Sequence, residues 1–452
     1  MGRLNGAIEW GGGVEENAAT LASLWMKRWP RMHEKEKLSP ALWGVLTLLF
    51  LALFINYIDR GALSIAAPMI KDEFGMSPAR LGVLLSAFFW TYASFLLISG
   101  WLADRFDASR VLAAGFLVWS AATLLTGVVQ GFAGLFAMRL LLGAGESTAY
   151  PCFSNLIVRH VPARHGGFAN ALISVGIGAG PAFGLLLGAM MMAKYGWRPY
   201  FIGLGCAGFL WLPVWLKKMP RCAATELAQK AEPGPGMTDI LLRREAWGTF
   251  LGMFGGNYLL YYLLTWLPYY LVRERQFSLE RMGKIGALAY LLMAFVSVIS
   301  GAASDRWIAA GWSATLVRKA MIGTGQLVGG VLLAACALAG PDLAVAFLLM
   351  ASAAYGLNTS NVWVITQTLA GPRAAGKWTG LQNFAGNLAG VAAPTVTGFT
   401  VGHTGNFVWA LVITGVISIL GAASWVFVLG RIEPVQWRAS EMRAEASTAG
   451  SP

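Results

Sequence analysis

The feature that most constrains this chain is a succession of long apolar segments separated by short polar turns. Each segment has about 20 residues, the length that an α-helix needs to cross the hydrocarbon core of a bilayer. Lipid offers no hydrogen-bond partners, so each segment must satisfy its own backbone polar groups as a helix. The pattern predicts an all-α membrane protein with twelve transmembrane helices. The predicted spans are residues 41–68, 80–103, 110–130, 132–156, 167–191, 197–217, 246–271, 282–304, 316–338, 342–365, 378–401 and 406–430.

Composition supports this fold class. Apolar residues make up 56% of the 452 residues and charged residues only 12%, whereas a soluble domain has roughly 25% charged residues. This excludes an ordinary soluble enzyme. The four cysteines are scattered singly, so neither a disulfide frame nor a metal site is expected. They are Cys152, Cys206, Cys222 and Cys336.

Six spans precede a long polar gap and six follow it. The gap contains Pro233-Gly234-Pro235-Gly236 and mixed charges, which is typical of a flexible connection between domains. Two interpretations of residues 1–31 remain open: an amphipathic surface helix, or an artefact of a start site upstream of Met32, which we favour. The predicted organisation is an N-terminal segment 1–40, a six-helix bundle 41–217, a linker 218–245, a second six-helix bundle 246–430 and a tail 431–452.

The excess of basic residues, a net charge of +12, indicates topology rather than nucleic-acid binding. Most basic residues fall on the side shared by both termini, which the positive-inside rule makes cytoplasmic. The turn 273–284 on the opposite side is basic as well, but it also carries Glu274 and Glu280. The basic residues of the cytoplasmic side include Arg105, Arg110, Arg159, Arg164, Arg306, Arg318, Lys319, Arg373, Lys377 and Arg431.

The two halves of the chain resemble each other. The second span closes on the run from Gly100 to Asp104-Arg105, and the eighth closes on the run from Gly301 to Asp305-Arg306. Two parallel repeats of six helices are typical of transporters that rock two bundles about a site at the repeat interface. The sequence therefore predicts two bundles related by pseudo-twofold symmetry.

Four charged residues lie within predicted spans away from the span ends: Asp59 and Arg60 in the first, Arg139 and Glu146 in the fourth. Burying each charge in the membrane costs several kcal/mol of free energy, so each is expected to have a structural or functional role. Arg139 and Glu146 are seven residues apart, which places them on one helix face about 10 Å apart along the axis. The small residues 143–145 would let the first helix approach, so that all four charges share one cavity.

This charge cluster has two interpretations. In the first, the charges form structural salt bridges with zero net charge. In the second, which we favour, they couple protons to an anion: burial raises the pKa of a carboxyl, and a neighbouring guanidinium lowers it. An anion that takes over the arginine therefore raises the proton affinity of the carboxylate. Arginine also presents a planar fork that suits a carboxylate.

Four motifs together resemble the anion:cation symporter family of the major facilitator superfamily, over about residues 40 to 430. They are Asn56-Tyr57-Ile58-Asp59-Arg60, the Gly100…Asp104-Arg105…Arg110 loop, the Arg139 to Glu146 spacing, and Thr265-Trp266-Leu267-Pro268-Tyr269-Tyr270-Leu271. The family includes bacterial carriers of galactonate, hexuronate, glucarate and tartrate, and animal sialic-acid and glutamate transporters. The resemblance implies a secondary transporter in the bacterial inner membrane that imports a sugar acid or similar carboxylate by proton symport with alternating access.

The resemblance also implies roles for individual residues. Asp59 and Glu146 would be the protonatable pair, and Arg60 and Arg139 would hold the substrate carboxylate. Substrate contacts are expected from Tyr57 and Tyr92 in the first half and from Asn257, Tyr261, Ser360, Trp363, Asn383 and Asn387 in the second. Core packing is the alternative for an isolated Tyr or Trp. A cytoplasmic gate is expected from Gly100, Asp104, Arg105 and Arg110, with a doubtful second copy at Asp305 and Arg306.

Two alternative functions remain. Glycines in the fifth span resemble an antiporter motif and leave an exchanger or exporter open, although close helix packing explains them too. A membrane sensor or enzyme is the distant alternative, because no phosphate-binding loop or Ser/His/Asp constellation is present. We expect no enzymatic activity, no cofactor besides the coupling proton and no nucleic-acid partner. The expected partners are a small organic anion and the lipid bilayer, and the chain is expected to function as a monomer. The fifth-span residues are Gly176, Gly178, Gly180, Pro181 and Gly184.

Overall fold

The computed structural model describes residues 40–161, 166–218 and 235–437. Its described residues from Val45 onward form one compact unit, and residues 40–44 are the first turn of the first helix. The helices are α1 (Pro40–Glu73), α2 (Pro78–Arg105), α3 (Ala108–Thr126), α4 (Gly131–Glu146), α5 (Ala149–His160), α6 (Gly166–Tyr195), α7 (Trp197–Lys218), α8 (Met237–Leu241), α9 (Arg244–Thr265), α10 (Leu267–Arg273), α11 (Leu279–Ala309), α12 (Ala314–Cys336), α13 (Pro341–Thr404) and α14 (Val408–Ala423), which continues as a π-helical turn over Ser424–Val428.

These helices make up the twelve predicted membrane-crossing segments within the described ranges, which confirms the predicted fold class. The fourth span consists of α4 and α5, and the seventh consists of α9 and α10. The break between α9 and α10 falls at Trp266, two residues before Pro268, which lacks the backbone N–H that a continuous helix needs. Helix α13 comprises the tenth and eleventh spans, which meet at a kink at Gly371. The φ of Gly371 is 62°, which glycine adopts without steric cost.

Nine helices in the described part are long and apolar enough to cross a membrane. The fourth, seventh and eleventh spans are not among them. The fourth is divided and carries Arg139 and Glu146, the seventh is broken and carries Asn257, and the eleventh carries Asn383 and Asn387. The spans with the weakest apolar signal thus carry half of the predicted proton-coupling and substrate-binding residues.

The linker differs in part from its prediction as a flexible connection. Its last residues form the short helix α8, in which Ile240 is fully buried, and Lys377 Nζ donates a hydrogen bond to Pro235 O at 2.7 Å. A buried isoleucine and a hydrogen-bonded backbone carbonyl hold this stretch against the second half. Residues 219–234 of the linker, 1–39 of the N-terminal segment and 438–452 of the tail lie outside the described residues.

Equivalent helices of the two halves begin with the same local chemistry. Ser77 caps α2 by accepting a hydrogen bond from Arg80 N at 3.3 Å, and Ser278 caps α11 by accepting one from Arg281 N at 3.2 Å. Such caps satisfy backbone donors that have no partner inside the helix. The second and eighth spans, which the sequence pairs as repeats, therefore start in the same way.

The two halves touch at the membrane face where α1 is joined to α2, α11 begins and α13 ends, which we call the distal face. There Gly82 of α2 packs against α13: a Cβ on Gly82 would lie 3.0 Å from Gly398 Cα. Near them, Asp72 at the end of α1 forms an ion pair with Arg273 at the end of α10. We call the contact of Gly82 with Gly398 the distal seam; it leaves no room for a side chain between the backbones.

The distal seam predicts that Gly398→Ala destabilises the protein. The new Cβ would lie 2.6 Å from Pro78 O and 2.9 Å from Gly82 Cα, and such overpacking costs about 1–3 kcal/mol of unfolding free energy. The matched control is Gly402→Ala one turn later, where the nearest atom is Ala79 N at 3.8 Å. Thermal melting of the purified variants measures the difference, and equal melting temperatures for the two variants would contradict the packing argument.

Candidate functional site

The four charged residues predicted to share a cavity lie together in the structure. Asp59 and Arg60 come from α1, Arg139 and Glu146 from α4, and their exposed fractions are 2%, 6%, 4% and 0%. Arg60 Nε donates a hydrogen bond to Glu146 Oε2 at 2.8 Å. Because two buried charges stabilise each other only at close range with good geometry, this ion pair fixes α1 against α4.

The other two charges lack such a partner. Among the described residues nothing hydrogen-bonds to Arg139 Nε, Arg139 Nη1 or Asp59 Oδ1. Asp59 lies within electrostatic range of Arg139 and Glu146 and near the Thr123 hydroxyl. A buried polar atom without a hydrogen bond costs free energy. The cluster is neutral in sum, yet it retains guanidinium donors that are unused inside the protein.

Aromatic rings from α1 and α2 surround the Arg60 guanidinium. Arg60 Cζ lies 4.8 Å from the ring centre of Tyr57, 5.2 Å from that of Phe88 and 4.4 Å from that of Tyr92. Arg139 Cζ also lies 5.2 Å from the Phe88 ring centre. A cation over an aromatic face is attracted by the ring quadrupole. One ring, Phe88, therefore contacts both predicted substrate-binding arginines.

Sequence reasoning missed Phe88 and Tyr150. Phe88 precedes Tyr92 by four residues, one helical turn, and the two rings stack with centres 5.1 Å apart. Tyr150 follows Glu146 by four residues, and its hydroxyl lies 3.0 Å from that of Tyr57. The one-turn spacing from a residue already selected was the available signal for both.

The role predicted for the small residues of the fourth span was wrong. These residues pack against α2 and α3 rather than against α1. A Cβ on Gly143 would meet Phe88 O of α2, and a Cβ on Gly145 would lie 2.8 Å from Trp119 N of α3. Helix α1 is instead approached by α6, where a Cβ on Gly180 would lie 2.7 Å from Tyr57 Cβ. Arg60 spans the distance between α1 and α4 with its long side chain, so no close backbone approach is needed there.

In the second half, three predicted residues, Tyr261, Asn387 and Asn383, form a hydrogen-bonded group, and a fourth, Asn257, bonds to the backbone of the same helix α13. Tyr261 Oη donates to Asn387 Oδ1 at 2.8 Å, Asn387 Nδ2 donates to Asn383 Oδ1 at 3.0 Å, and Asn257 Nδ2 donates to Gly386 O at 3.1 Å. The Tyr261 ring centre lies 4.4 Å from that of Phe89. Phe89, which the sequence analysis also missed, is adjacent in sequence to Phe88 and so links this group to the charge cluster of the first half.

Two other predicted substrate contacts are not brought into this group. Trp363 is 37% exposed, and no hydrogen bond or ring contact joins it to the group within the described ranges. The side chain of Ser360 lies outside the described residues.

The predicted cytoplasmic gate lies at the end of α2 opposite the distal face. Arg110 is 71% exposed, and its Nε lies 3.8 Å from Asp107 Oδ2 of the same turn. A Cβ on Gly100 would meet no atom within 4 Å. Arg105, Asp305 and Arg306 are exposed, and the side chain of Asp104 lies outside the described residues. Where the structure describes these side chains, no ion pair joins the loop to the second half.

Comparisons with known proteins agree with this architecture. The family model of the Major Facilitator Superfamily matches residues 49–394. The probable galactarate/D-glucarate transporter GarP of Escherichia coli (strain K12) is 30% identical over 90% of this chain and 98% of its own length. The D-galactonate transporter of Escherichia coli O6:H1 is 29% identical over 86% of this chain and 96% of its own.

Among solved structures, a bacterial homologue of the human lysosomal transporter Spinster, in an inward-facing and occupied conformation, superposes with a TM-score of 0.75 at 18% identity. The match covers 86% of this chain and 97% of the other. This likeness concerns the fold.

The buried Arg60–Glu146 pair predicts an asymmetry between single and double variants. Arg60→Met leaves the Glu146 carboxylate buried without its cation, which costs about 3–5 kcal/mol of unfolding free energy. Adding Glu146→Gln removes the stranded charge, so we expect the double variant to melt at a higher temperature than Arg60→Met alone. A double variant no more stable than the single one would show that the pair is not the dominant contact of either side chain.

Proposed function

The chain belongs to the Major Facilitator Superfamily, and on that premise we propose that it imports a small organic anion, of the sugar-acid class, together with protons. The observation that carries the proposal is the buried Arg60–Glu146 pair beside the unpaired donors of Arg139. The names of the matched relatives, transporters of galactarate, D-glucarate and D-galactonate, supply the substrate class. Members of this superfamily are transporters rather than enzymes, and this chain is a multi-pass membrane protein of that kind.

Arg139 is the side chain best suited to receive the anion. Its Nε and Nη1 donate to no residue in the part of the chain that the structure describes. A carboxylate accepts two parallel hydrogen bonds from a guanidinium, which adds geometric specificity to the attraction of opposite charges. The Phe88 ring contacts both guanidinium groups, so a bound carboxylate would find two cations held by one rigid aromatic side chain.

Proton coupling follows from competition for Arg60. In the structure this guanidinium neutralises Glu146. An anion that draws Arg60 towards itself leaves a buried carboxylate without its counter-charge, and such a carboxylate is most easily stabilised by binding a proton. Asp59 offers a second carboxylate in the same cluster, so more than one proton per anion is possible in this arrangement. Release of the anion restores the ion pair and expels the proton.

The contacts between the halves support alternating access. The distal face is closed by the distal seam and by the ion pair of Asp72 with Arg273, whereas the described side chains of the predicted gate at the other end are exposed. With both termini in the cytoplasm of a bacterial inner membrane, the orientation that the basic residues favour, this arrangement is open to the cytoplasm. Rocking of the halves about the site would open the distal face.

Exchange or export is the second candidate, and the structure gives it no separate support. The fifth-span glycines pack α6 against α1, where a Cβ on Gly176 would lie 3.2 Å from Phe54 N. Helix packing alone therefore accounts for the motif that raised this alternative.

The coupling proposal predicts that carboxylate variants lose accumulation but keep exchange. Proteoliposomes containing the purified protein would be given labelled galactarate or galactonate under an imposed inward proton gradient. We expect gradient-driven uptake by the unmodified protein and at least a tenfold loss in Asp59→Asn and Glu146→Gln, while counterflow without a gradient persists, because the anchoring arginines remain.

The matched control for these variants is Glu280→Gln. Glu280 is a half-exposed carboxylate near the distal face that pairs with Lys284 at 2.7 Å, away from the cluster. It should transport like the unmodified protein. Uptake that ignores the proton gradient, or that survives in both buried variants, would overturn symport; trans-stimulation by internal substrate without net uptake would favour the exchanger.

The anchoring role predicts that Arg139→Lys weakens anion binding. A lysine keeps the charge but loses the planar fork, and a lost charge-assisted hydrogen bond of about 1.5–3 kcal/mol corresponds to roughly 10–100-fold in Kd. Ligand-induced thermal stabilisation of the purified protein measures this shift. The control is Arg281→Lys, because Arg281 is 54% exposed and pairs with Asp342 near the distal face. If the anion raises the melting temperature of both variants equally, Arg139 does not bind it.

A further inference from the structure

The hydrogen-bonded group of the second half has a fixed direction. Asn387 Nδ2 lies 2.8 Å from the backbone carbonyl oxygen of Asn383. A carbonyl oxygen accepts and never donates, so the amide nitrogen of Asn387 must occupy that position. The amide oxygen of Asn387 then faces Tyr261, whose hydroxyl donates to it at 2.8 Å. The orientation of the Asn387 amide is therefore determined by the backbone, with no freedom to exchange nitrogen and oxygen.

The same direction extends to Asn383. Asn387 Nδ2 also lies 3.0 Å from the side-chain oxygen of Asn383. Since the Asn387 nitrogen donates, the Asn383 atom facing it must accept, and the Asn383 NH₂ group is turned away from Asn387. No residue that the structure describes accepts a hydrogen bond from that NH₂ group. Asn383 is half-buried, whereas Tyr261 and Asn387 are only 8% and 3% exposed.

Helix geometry places Asn383 on the site side of the contact between the halves. Asn383, Asn387 and Gly390 lie on successive turns of one face of α13. Gly390 is where Phe89 of α2 packs, and the distal seam at Gly398 is two turns beyond it. Asn383 is about 10 Å from Gly390 in the opposite direction along the axis. It therefore lies away from the closed face. Tyr92 does so too, because it follows Phe89 along α2, and the Arg60 guanidinium of α1 lies 4.4 Å from the Tyr92 ring centre.

We infer that Tyr261 and Asn387 are positioning residues that hold the Asn383 amide with its NH₂ group towards the substrate. The side of Asn383 that is turned away from Asn387 then presents two N–H donors, so it recognises an oxygen acceptor: a hydroxyl, a carbonyl or a second carboxylate. With the guanidinium groups holding one carboxylate, the site selects anions that carry an acceptor oxygen at the far end over anions with an apolar end. This inference rests on the proposed function for the identity of the site.

The test compares two ligands that differ only at that end: galactonate and its 6-deoxy analogue, which lacks the terminal hydroxyl. Binding of each to the purified protein is measured by competition against labelled galactonate. The unmodified protein should prefer galactonate by roughly tenfold, since a site built to hydrogen-bond an oxygen rejects a ligand that leaves its donor unpaired. The ratio is taken within each variant, so it does not depend on how much of a variant folds.

Asn383→Ala should abolish the preference, and so should Asn387→Leu, although Asn387 does not touch the ligand. The double variant should be no worse than Asn383→Ala alone, because a positioning residue has nothing to position once the amide is gone. Tyr261→Phe should reduce the preference in part. Its matched control is Tyr262→Phe, which removes a buried hydroxyl without a hydrogen bond in the described structure and should leave the ratio unchanged.

A preference that survives in Asn387→Leu, or losses that add fully in the double variant, would overturn the positioning role. If neither ligand binds the unmodified protein, it is the proposed substrate class that fails, and a measurement without ligand decides the inference. In protein labelled with ¹⁵N-asparagine, the Asn383 side-chain amide should give two distinct proton resonances that shift in Asn387→Leu and not in Tyr262→Phe. If the Asn383 resonances do not shift in Asn387→Leu, the positioning role of Asn387 is refuted.

Discussion

The structure depends on a constraint that lipid imposes: a charge inside the membrane must find its counter-charge inside the protein. Glu146 and Arg60 meet this constraint by pairing at 2.8 Å with both side chains buried. The pair fixes the first span against the fourth and so creates the place where Asp59 and Arg139 come close. The rings of Tyr57, Phe88 and Tyr92 then enclose the Arg60 guanidinium. A neutral cluster can stay buried, yet a second anion of suitable shape can replace one of its members.

The two halves contribute different chemistry to one region. The first half supplies formal charges, and the second supplies neutral amides and a phenol that are linked in one direction. Phe88 and Phe89, adjacent on α2, face these two groups: Phe88 contacts the guanidinium groups and Phe89 contacts Tyr261. This division would suit the proposed substrate, which has a carboxylate at one end and hydroxyl oxygens along the rest, because guanidinium groups attract a carboxylate and amides can hydrogen-bond to hydroxyls.

The positions of the spans and the four buried charges could be predicted from the sequence, because both are local features of the chain. Contacts between helices could not be predicted in this way. Span positions follow from local hydropathy, and the four buried charges are conspicuous because charges are rare in lipid. Contacts between helices are not local. Gly143 was assigned to the wrong neighbour because a small residue indicates close packing without indicating which helix packs there. Phe88 was missed because a phenylalanine in a span resembles any other apolar residue until its neighbours are known. The short helix α8 follows from the burial of Ile240, which its polar surroundings in the sequence conceal.

The contact of Gly82 with Gly398 bears on how fast such a protein could work. Two bare backbones meet there, with no directed bond to break when they part. Dispersion between them is weak for each pair of atoms and has no preferred direction, and lipid or water can fill the gap as it widens. The two backbones can therefore separate in small steps, without a single bond that must break first. The ion pair of Asp72 and Arg273 adds little resistance, because both side chains are about half-exposed and an exposed ion pair is weak. Turnover should accordingly be paced by events among the buried charges rather than by the opening of this face.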